Sequence, residues 1–197
     1  LFLLLIIAVV RSPSLMTSSG IGAAIIVSAP LILATYALMT SVTAGRGTVD
    51  LAIGPLIGFI NVSVIQLTAA GVIGSPVSVF LVAIALGIAY QLVMAAIVIY
   101  VRVQPIIVSL SGFLALSGIN LVILPRPGGV APEWMLSWGA GTNIISPVLI
   151  IVVLATVAWL LFTQTAFYTH LRLMGSDERA AYTSGVPITI VRFGAHA

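Results

Sequence analysis

Residues 77–101 read VSVFLVAIALGIAYQLVMAAIVIYV, 25 positions without an acidic or basic side chain. A helix rising about 1.5 Å per residue needs roughly 20 apolar residues to cross the hydrocarbon of a bilayer, so this stretch alone is long enough to span. Working outward, uncharged apolar runs recur at about 21–43, 51–72, 106–124 and 144–162. They alternate with breaks of the kind backbone chemistry favours: Arg11-Ser-Pro13, Gly45-Arg-Gly47, Gly74-Ser-Pro76, Arg102-Val-Gln-Pro105 and the longer stretch 125–147. The expectation is an all-α, polytopic transmembrane helix bundle.

Composition supports that reading. Of 197 residues 61% are hydrophobic and 6% charged, with mean hydropathy +1.30, against about 45–50% apolar and 25% charged in an ordinary soluble domain. Eleven charged side chains cannot solvate the surface of a globule this size, so most apolar surface must face lipid. The chain has no Cys, which removes disulfide scaffolds, thiolate metal sites and cysteine nucleophiles. It has no Lys, so it lacks the residue a phosphate-binding G-x-x-x-x-G-K-[ST] loop places on a nucleotide. Its seven basic residues are all Arg and are scattered, which points away from nucleic acid and towards the ends of membrane spans.

Residues 1–10 form an apolar run too short to cross and read as the second half of a partial first span; residues 188–197 read as the start of a further one. The chain is therefore expected to be a single transmembrane domain, 1–197, holding part of a longer polytopic protein. With the amino terminus inside, Arg46, Arg102, Arg172 and Arg179 are cytoplasmic while Arg11 and Arg126 are outside, the distribution that the positive-inside rule prefers. Trp134 and Trp138 then lie in an external loop near the headgroups.

Several spans carry polar groups that a lipid anchor does not need. Asp50, Gly54 and Asn61 recur at spacings of four and seven residues, which places them along one helix face. Gly54 and Gly58 make a small-xxx-small pair, Arg46 stands one turn before Asp50 as its partner, and Gly54-Pro55 is expected to interrupt the helix. Ser109, Gly112 and Asn120 form a second seam, flanked by Ser111 and Ser117, and Gln66 and Gln91 are isolated amides in other spans. Two readings stay open for these groups: helix packing with polar glue, or a lined substrate path.

The segment Met174-Gly-Ser-Asp-Glu-Arg-Ala-Ala-Tyr-Thr-Ser-Gly-Val-Pro187 reads as one short helix of about two turns. Ser176 is the expected cap, Asp177 and Glu178 suit the positive end, Gly185 terminates and Pro187 prevents continuation. A helix this short is marginal in water and must dock on something. Taken alone it is either a plain interfacial connector or a contact point for a partner.

Three stretches resemble one family, the permease subunits of bacterial ATP-binding-cassette importers of the ribose, xylose and galactoside type. Ala44-Gly-Arg-Gly-Thr-Val-Asp-Leu-Ala-Ile-Gly54 resembles the family's Gly-Gly-Ile-Asp-Leu-Ser-Val-Gly signature, matching at Asp50, Leu51 and Gly54, with Ala52 in place of Ser. Val103-Gln-Pro-Ile-Ile-Val-Ser-Leu-Ser-Gly112 is similar to Pro-Phe-Ile-Val-Thr-Leu-Gly. Gly175 to Val186 is similar to Gly-Gly-Asn-x-x-Ala-Ala-x-x-Ser-Gly-Ile, retaining Ala180, Ala181, Ser184 and Gly185; Asp177 stands where Asn is usual, and Tyr168-Thr-His170 lacks the usual Gly-Arg.

The resemblance implies a bacterial inner-membrane, multi-pass subunit that moves a sugar or polyol without covalent chemistry, cofactor or metal. It implies two permease copies, two ATP-binding-cassette subunits and a periplasmic or extracellular sugar-binding protein. A family permease has about ten spans, so the chain would hold roughly the first half. The loop 163–187 would contain the coupling helix, with Ser176, Asp177, Glu178, Ala180, Ala181 and Gly185 facing the ATP-binding subunit. Asp50, Asn61, Ser109 and Asn120 are the expected substrate-pathway residues. An ion-coupled secondary transporter is the alternative, with Asp50 as its intramembrane acid. An intramembrane enzyme is the weakest reading, because His170 and His196 lie at or beyond span ends without a carboxylate at ligand spacing, and Asp177 and Glu178 read as helix-start charges.

Overall fold

The computed structural model describes residues 2–45, 49–126, 128–188, 190–191 and 194, and every regular element among them is helical. In chain order these are α1 (Phe2–Arg11), a 3-10 turn (Pro13–Met16), α2 (Ser18–Thr43), α3 (Ile53–Ala69), α4 (Pro76–Ala96) running into a π turn (Ile97–Val101), α5 (Pro105–Ile123), α6 (Glu133–Gly139), α7 (Pro147–Thr163), α8 (Ala166–Ser176) and α9 (Glu178–Thr183). Arg46 and His196 lie outside the described residues, as does the proposed pairing of Arg46 with Asp50. Among the described residues three helices are long and apolar enough to cross a bilayer: α2, Pro76–Val101 and α5. A fourth span arises if α7 and α8 are one broken crossing, and α3 is a shorter apolar helix of 17 residues.

Proline opens three of these helices, since the first helical position has no use for an N–H and its φ suits the proline ring. Pro76 starts α4 behind Ser75, whose hydroxyl accepts from the Ser78 N–H at 3.2 Å. Pro105 starts α5 and Pro147 starts α7. Pro55 belongs to the same class: it lies in the first turn of α3, where Leu56 N–H already reaches the Ala52 carbonyl at 2.8 Å. Gly54-Pro55 therefore begins a helix instead of interrupting one, contrary to the sequence expectation. The other end of α3 closes with Gly71 at φ +71°, where Val72 N–H returns to the Leu67 carbonyl and Gly71 N–H to that of Thr68.

The chain divides into two compact units. The first comprises residues 1–36 and 133–161. In it Tyr36 on α2 stacks on Trp159 of α7 with ring centroids 5.5 Å apart, and shares a hydrogen bond of 3.0 Å with the Thr156 hydroxyl. The loop before α7 approaches α2 so closely that a β-carbon on Gly22 would sit 2.6 Å from the Gly141 carbonyl oxygen. Within the stretch 125–147, expected to carry structure of its own, α6 pairs Trp134 and Trp138 edge to face at 4.8 Å.

The second unit comprises residues 37–132 and 162–197. Here α3 packs chiefly on α5 and also on α4, while α8 and α9 fold onto each other. Outward faces remain apolar: Leu81 is 63% exposed and Val122 80%. Side chains so placed would aggregate in water and are solvated by lipid tails.

Candidate functional site

Two constellations stand out, and both lie in the second unit. The first gathers around Asp50. This residue precedes α3, in a non-helical stretch after the end of α2, so it does not share a helix face with Gly54 and Asn61 as its spacing suggested. Being outside the helix frees its carboxylate to cap locally and reach across. Oδ1 accepts from the Ala52 N–H at 2.8 Å and from the Ser109 hydroxyl at 3.0 Å; Oδ2 accepts from the Gln91 amide Nε2 at 3.0 Å. Leu51 N–H in turn donates to the Ser109 hydroxyl. One carboxylate thus joins the entrance of α3 to α4 and α5, and charge-assisted bonds of this type are the stronger class.

A small pocket of about 20 Å³, room for a single water, opens beside this carboxylate between Val49, Gln91, Met94, Val98 and Ser109. Nearby, a glycine sets how closely α4 and α5 approach. At Gly112 on α5 a β-carbon would overlap the Tyr90 hydroxyl and lie 2.6 Å from Met94 Cε, so the missing side chain admits α4 close to α5. Tyr90 was not selected from sequence, and Gln91 was noted there only as an isolated amide open to a packing or a pathway role. Their adjacency at the centre of an apolar span was the available signal, and the Tyr90 hydroxyl is buried without a hydrogen-bond partner.

The remaining polar positions do other things. Asn120 packs over Gly58 and donates from Nδ2 to the Pro55 carbonyl at 3.0 Å, with its Oδ1 buried and unpartnered. Asn61 is exposed on α3, away from the Asp50 cluster, and Gly54 has nothing packed on it. Gln66 donates to the Ile123 carbonyl at 2.6 Å, satisfying an acceptor left open at the end of α5. Among the expected pathway residues, Asp50 and Ser109 meet, while Asn120 and Asn61 lie elsewhere on the α3–α5 pair.

The second constellation is built from α8 and α9. The single short helix expected within 174–187 is α9, which is capped one residue later than expected, at Asp177, where α8 ends. The Asp177 backbone ends α8, where its N–H reaches the Leu173 carbonyl, and its Oδ1 accepts from Arg179 and Ala180 N–H at 2.9 and 3.1 Å to start α9. Ser176 is not the cap, because its hydroxyl donates back to the Leu173 carbonyl at 2.9 Å. The far end follows expectation: Gly185 adopts φ +82°, Gly185 N–H bonds the Tyr182 carbonyl and Val186 N–H that of Ala181. The hydrophobic contact that accompanies such an ending is present, since Ala181 and Val186 are both buried.

Through Ala181 this helix docks on a buried cluster with Leu171, Met174, Val186 and Val191, closed by Ala44 after the end of α2. Ala180, Arg179, Tyr182 and Thr183 remain on the exposed side, and Glu178 is half-buried. A two-turn helix is held here by one apolar face and two caps, leaving the other face open.

A family model described as branched-chain amino acid transport system / permease component matches residues 20–197. The chain belongs to this permease family. No curated protein and no solved structure matched it. The permease is accordingly the transmembrane subunit of an ATP-binding-cassette (ABC) transporter, a transport component that works with separate ATP-binding subunits and a substrate-binding protein. With its several apolar spans it is a multi-pass inner-membrane protein.

Proposed function

We propose that the permease moves a sugar or related polyol inward by alternating access, as one of two copies driven by ATP-binding subunits and supplied by an external sugar-binding protein. The observation that carries this reading is the Asp50 cluster. An apolar bundle keeps one carboxylate, one amide and one hydroxyl together beside a water-sized pocket. Neutral donors and acceptors suit hydroxyl-rich cargo. Polar groups gathered among apolar spans are costly, which argues for a role at the pathway. Asp50 and Ser109 would border that pathway, with Asn120 further along the α3–α5 seam and Asn61 on the exposed side of α3.

The coupling contact in this reading is α9: Ser176, Asp177, Glu178, Ala180, Ala181 and Gly185 form or shape the segment that meets the ATP-binding subunit. Its exposed face is free to take a partner, and its buried face ties it to the bundle. The Arg distribution supports a cytosolic position for it. ATP-driven closure of the partner subunits would displace α9 and tilt the spans, shifting the side to which the pathway opens.

The family's description favours a second cargo, a branched-chain amino acid. A zwitterion needs a cation as well as an anion in its path. The described cluster holds a single carboxylate whose oxygens already accept three hydrogen bonds, which suits hydroxyls better. Uptake by the permease reconstituted with its ATP-binding subunits and binding protein separates the readings. Labelled ribose, xylose or galactose is expected to enter only with ATP, and to keep entering when ionophores collapse ion gradients. Leucine uptake instead would replace the sugar reading, and uptake that follows the ion gradient would restore Asp50 as a coupling acid.

A further inference from the structure

We propose that the contact of Gly45 with Gly175 is a transmission joint, clamping α8–α9 to the junction between α2 and α3 so that movement imposed on α9 arrives at Asp50 and, through its hydrogen bonds, at α4 and α5. The inference rests on the reading of α9 as the coupling contact and extends it inward.

Three observations carry it. The first is backbone-to-backbone packing. A β-carbon on Gly175 would overlap the Thr43 carbonyl oxygen, and one on Gly45 would lie 2.7 Å from both the Cα and the carbonyl oxygen of Gly175. Gly45 also sits at φ +79°, a conformation that a side chain would strain. No flexible side chain lies between the two strands of backbone to absorb a displacement. Packed contacts of this kind move together or separate; they do not stretch.

The second is that the joint is sealed by the buried face of the coupling segment. Ala44, next to Gly45, is 7% exposed and completes the same cluster as Met174 and Ala181. α9 therefore cannot shift as a unit without carrying the end of α2 or breaking that cluster.

The third is the short distance along the chain from the joint to the carboxylate. Asp50 lies five positions after Gly45, a reach of at most roughly 17 Å even at full extension. Asp50 at its end holds Gln91 of α4 and Ser109 of α5 at 3.0 Å each. In this proposal a displacement of the junction reaches α4 and α5 through the Asp50 hydrogen bonds.

The 197 residues contain no Cys, so Val98→Cys, beside the Asp50 pocket, adds a single thiol to them, read against the same importer without it. Its labelling rate with a membrane-permeant thiol reagent is measured in the complete importer, without nucleotide and after trapping with ATP and vanadate. In the otherwise unchanged permease, trapping is expected to change the rate by about tenfold, within the range of ordinary coupling between sites. Adding Gly175→Ala is expected to abolish that nucleotide dependence and to uncouple ATP hydrolysis from uptake, while Gly74→Ala, at a glycine with open space around it, leaves both intact. A nucleotide response at Val98→Cys that survives Gly175→Ala overturns the joint. So does a Val98→Cys rate indifferent to nucleotide in the unchanged background, a measurement that decides even if Gly175→Ala fails to assemble. Failure of the transport reading is seen separately, as an unchanged importer that shows no ATP-dependent uptake.

Discussion

Asp50 shows how one side chain organises distant parts of the chain. Its partners Gln91 and Ser109 are 41 and 59 positions away. Removing the carboxylate leaves an amide and a hydroxyl without their acceptor, at about 1–3 kcal/mol for a buried polar group so stranded. Asp50→Ala is therefore expected to lower the thermal unfolding midpoint of the detergent-solubilised permease. Asp50→Asn keeps one acceptor oxygen, and a flipped Gln91 amide can face the new one, so it should lower the midpoint less. Equal losses for both would mean that the hydrogen bonds add little. Asp177 makes a different case. It caps α9, and Asp177→Ala should cost that helix about 0.5–2 kcal/mol, seen as faster hydrogen exchange at Arg179 and Ala180. Protection unchanged at those amides would show that the buried cluster alone holds α9. Asp50, Ser109 and Asp177 were all identifiable from residue type and position; the bonds of Asp50 to Gln91 and Ser109 were not, because spacing along a chain says nothing about partners so far apart.

At the scale of elements, the helices begin and end where local chemistry dictates. Proline opens α4, α5 and α7, glycine closes α3 and α9, and Arg102 at φ 60° stops the π turn after α4 before Pro105 starts α5. Such signals are local and so were readable. The misreadings also have local causes. Ser176 and Asp177 are both good caps, and the choice fell to Asp177 because the Ser176 hydroxyl is spent on the last turn of α8. Pro55 breaks a helix in its interior but starts one in its first turn, and only the true beginning of α3 at Ile53 distinguishes these cases. Helix contact itself depends on Gly112. Gly112→Ala would press on the Tyr90 hydroxyl and Met94 Cε, the ends of movable side chains, and should cost about 1–3 kcal/mol by overpacking. A reduced unfolding midpoint that Met94→Ala partly restores is the expected result; an unreduced midpoint would show that α4 and α5 have slack there.

For the whole molecule, composition settled the solvent before any contact was considered. With 61% hydrophobic and 6% charged residues, the chain had to be a membrane bundle, and the length of each apolar run set the scale of its helices. Those conclusions follow from quantities summed along the sequence, and no neighbour across the fold can change them. Tertiary structure decided which polar groups meet. It set Asp50 between α3, α4 and α5, turned Asn61 outward, and seated Ala181 and Val186 on a cluster that Ala44 completes. It also brought Gly45 against Gly175, two glycines 130 residues apart with nothing in their spacing to announce a contact. The physical reason is the same throughout: burial in lipid is an additive property of residue types, whereas hydrogen bonds and close backbone approach depend on geometry that only the packed helices create.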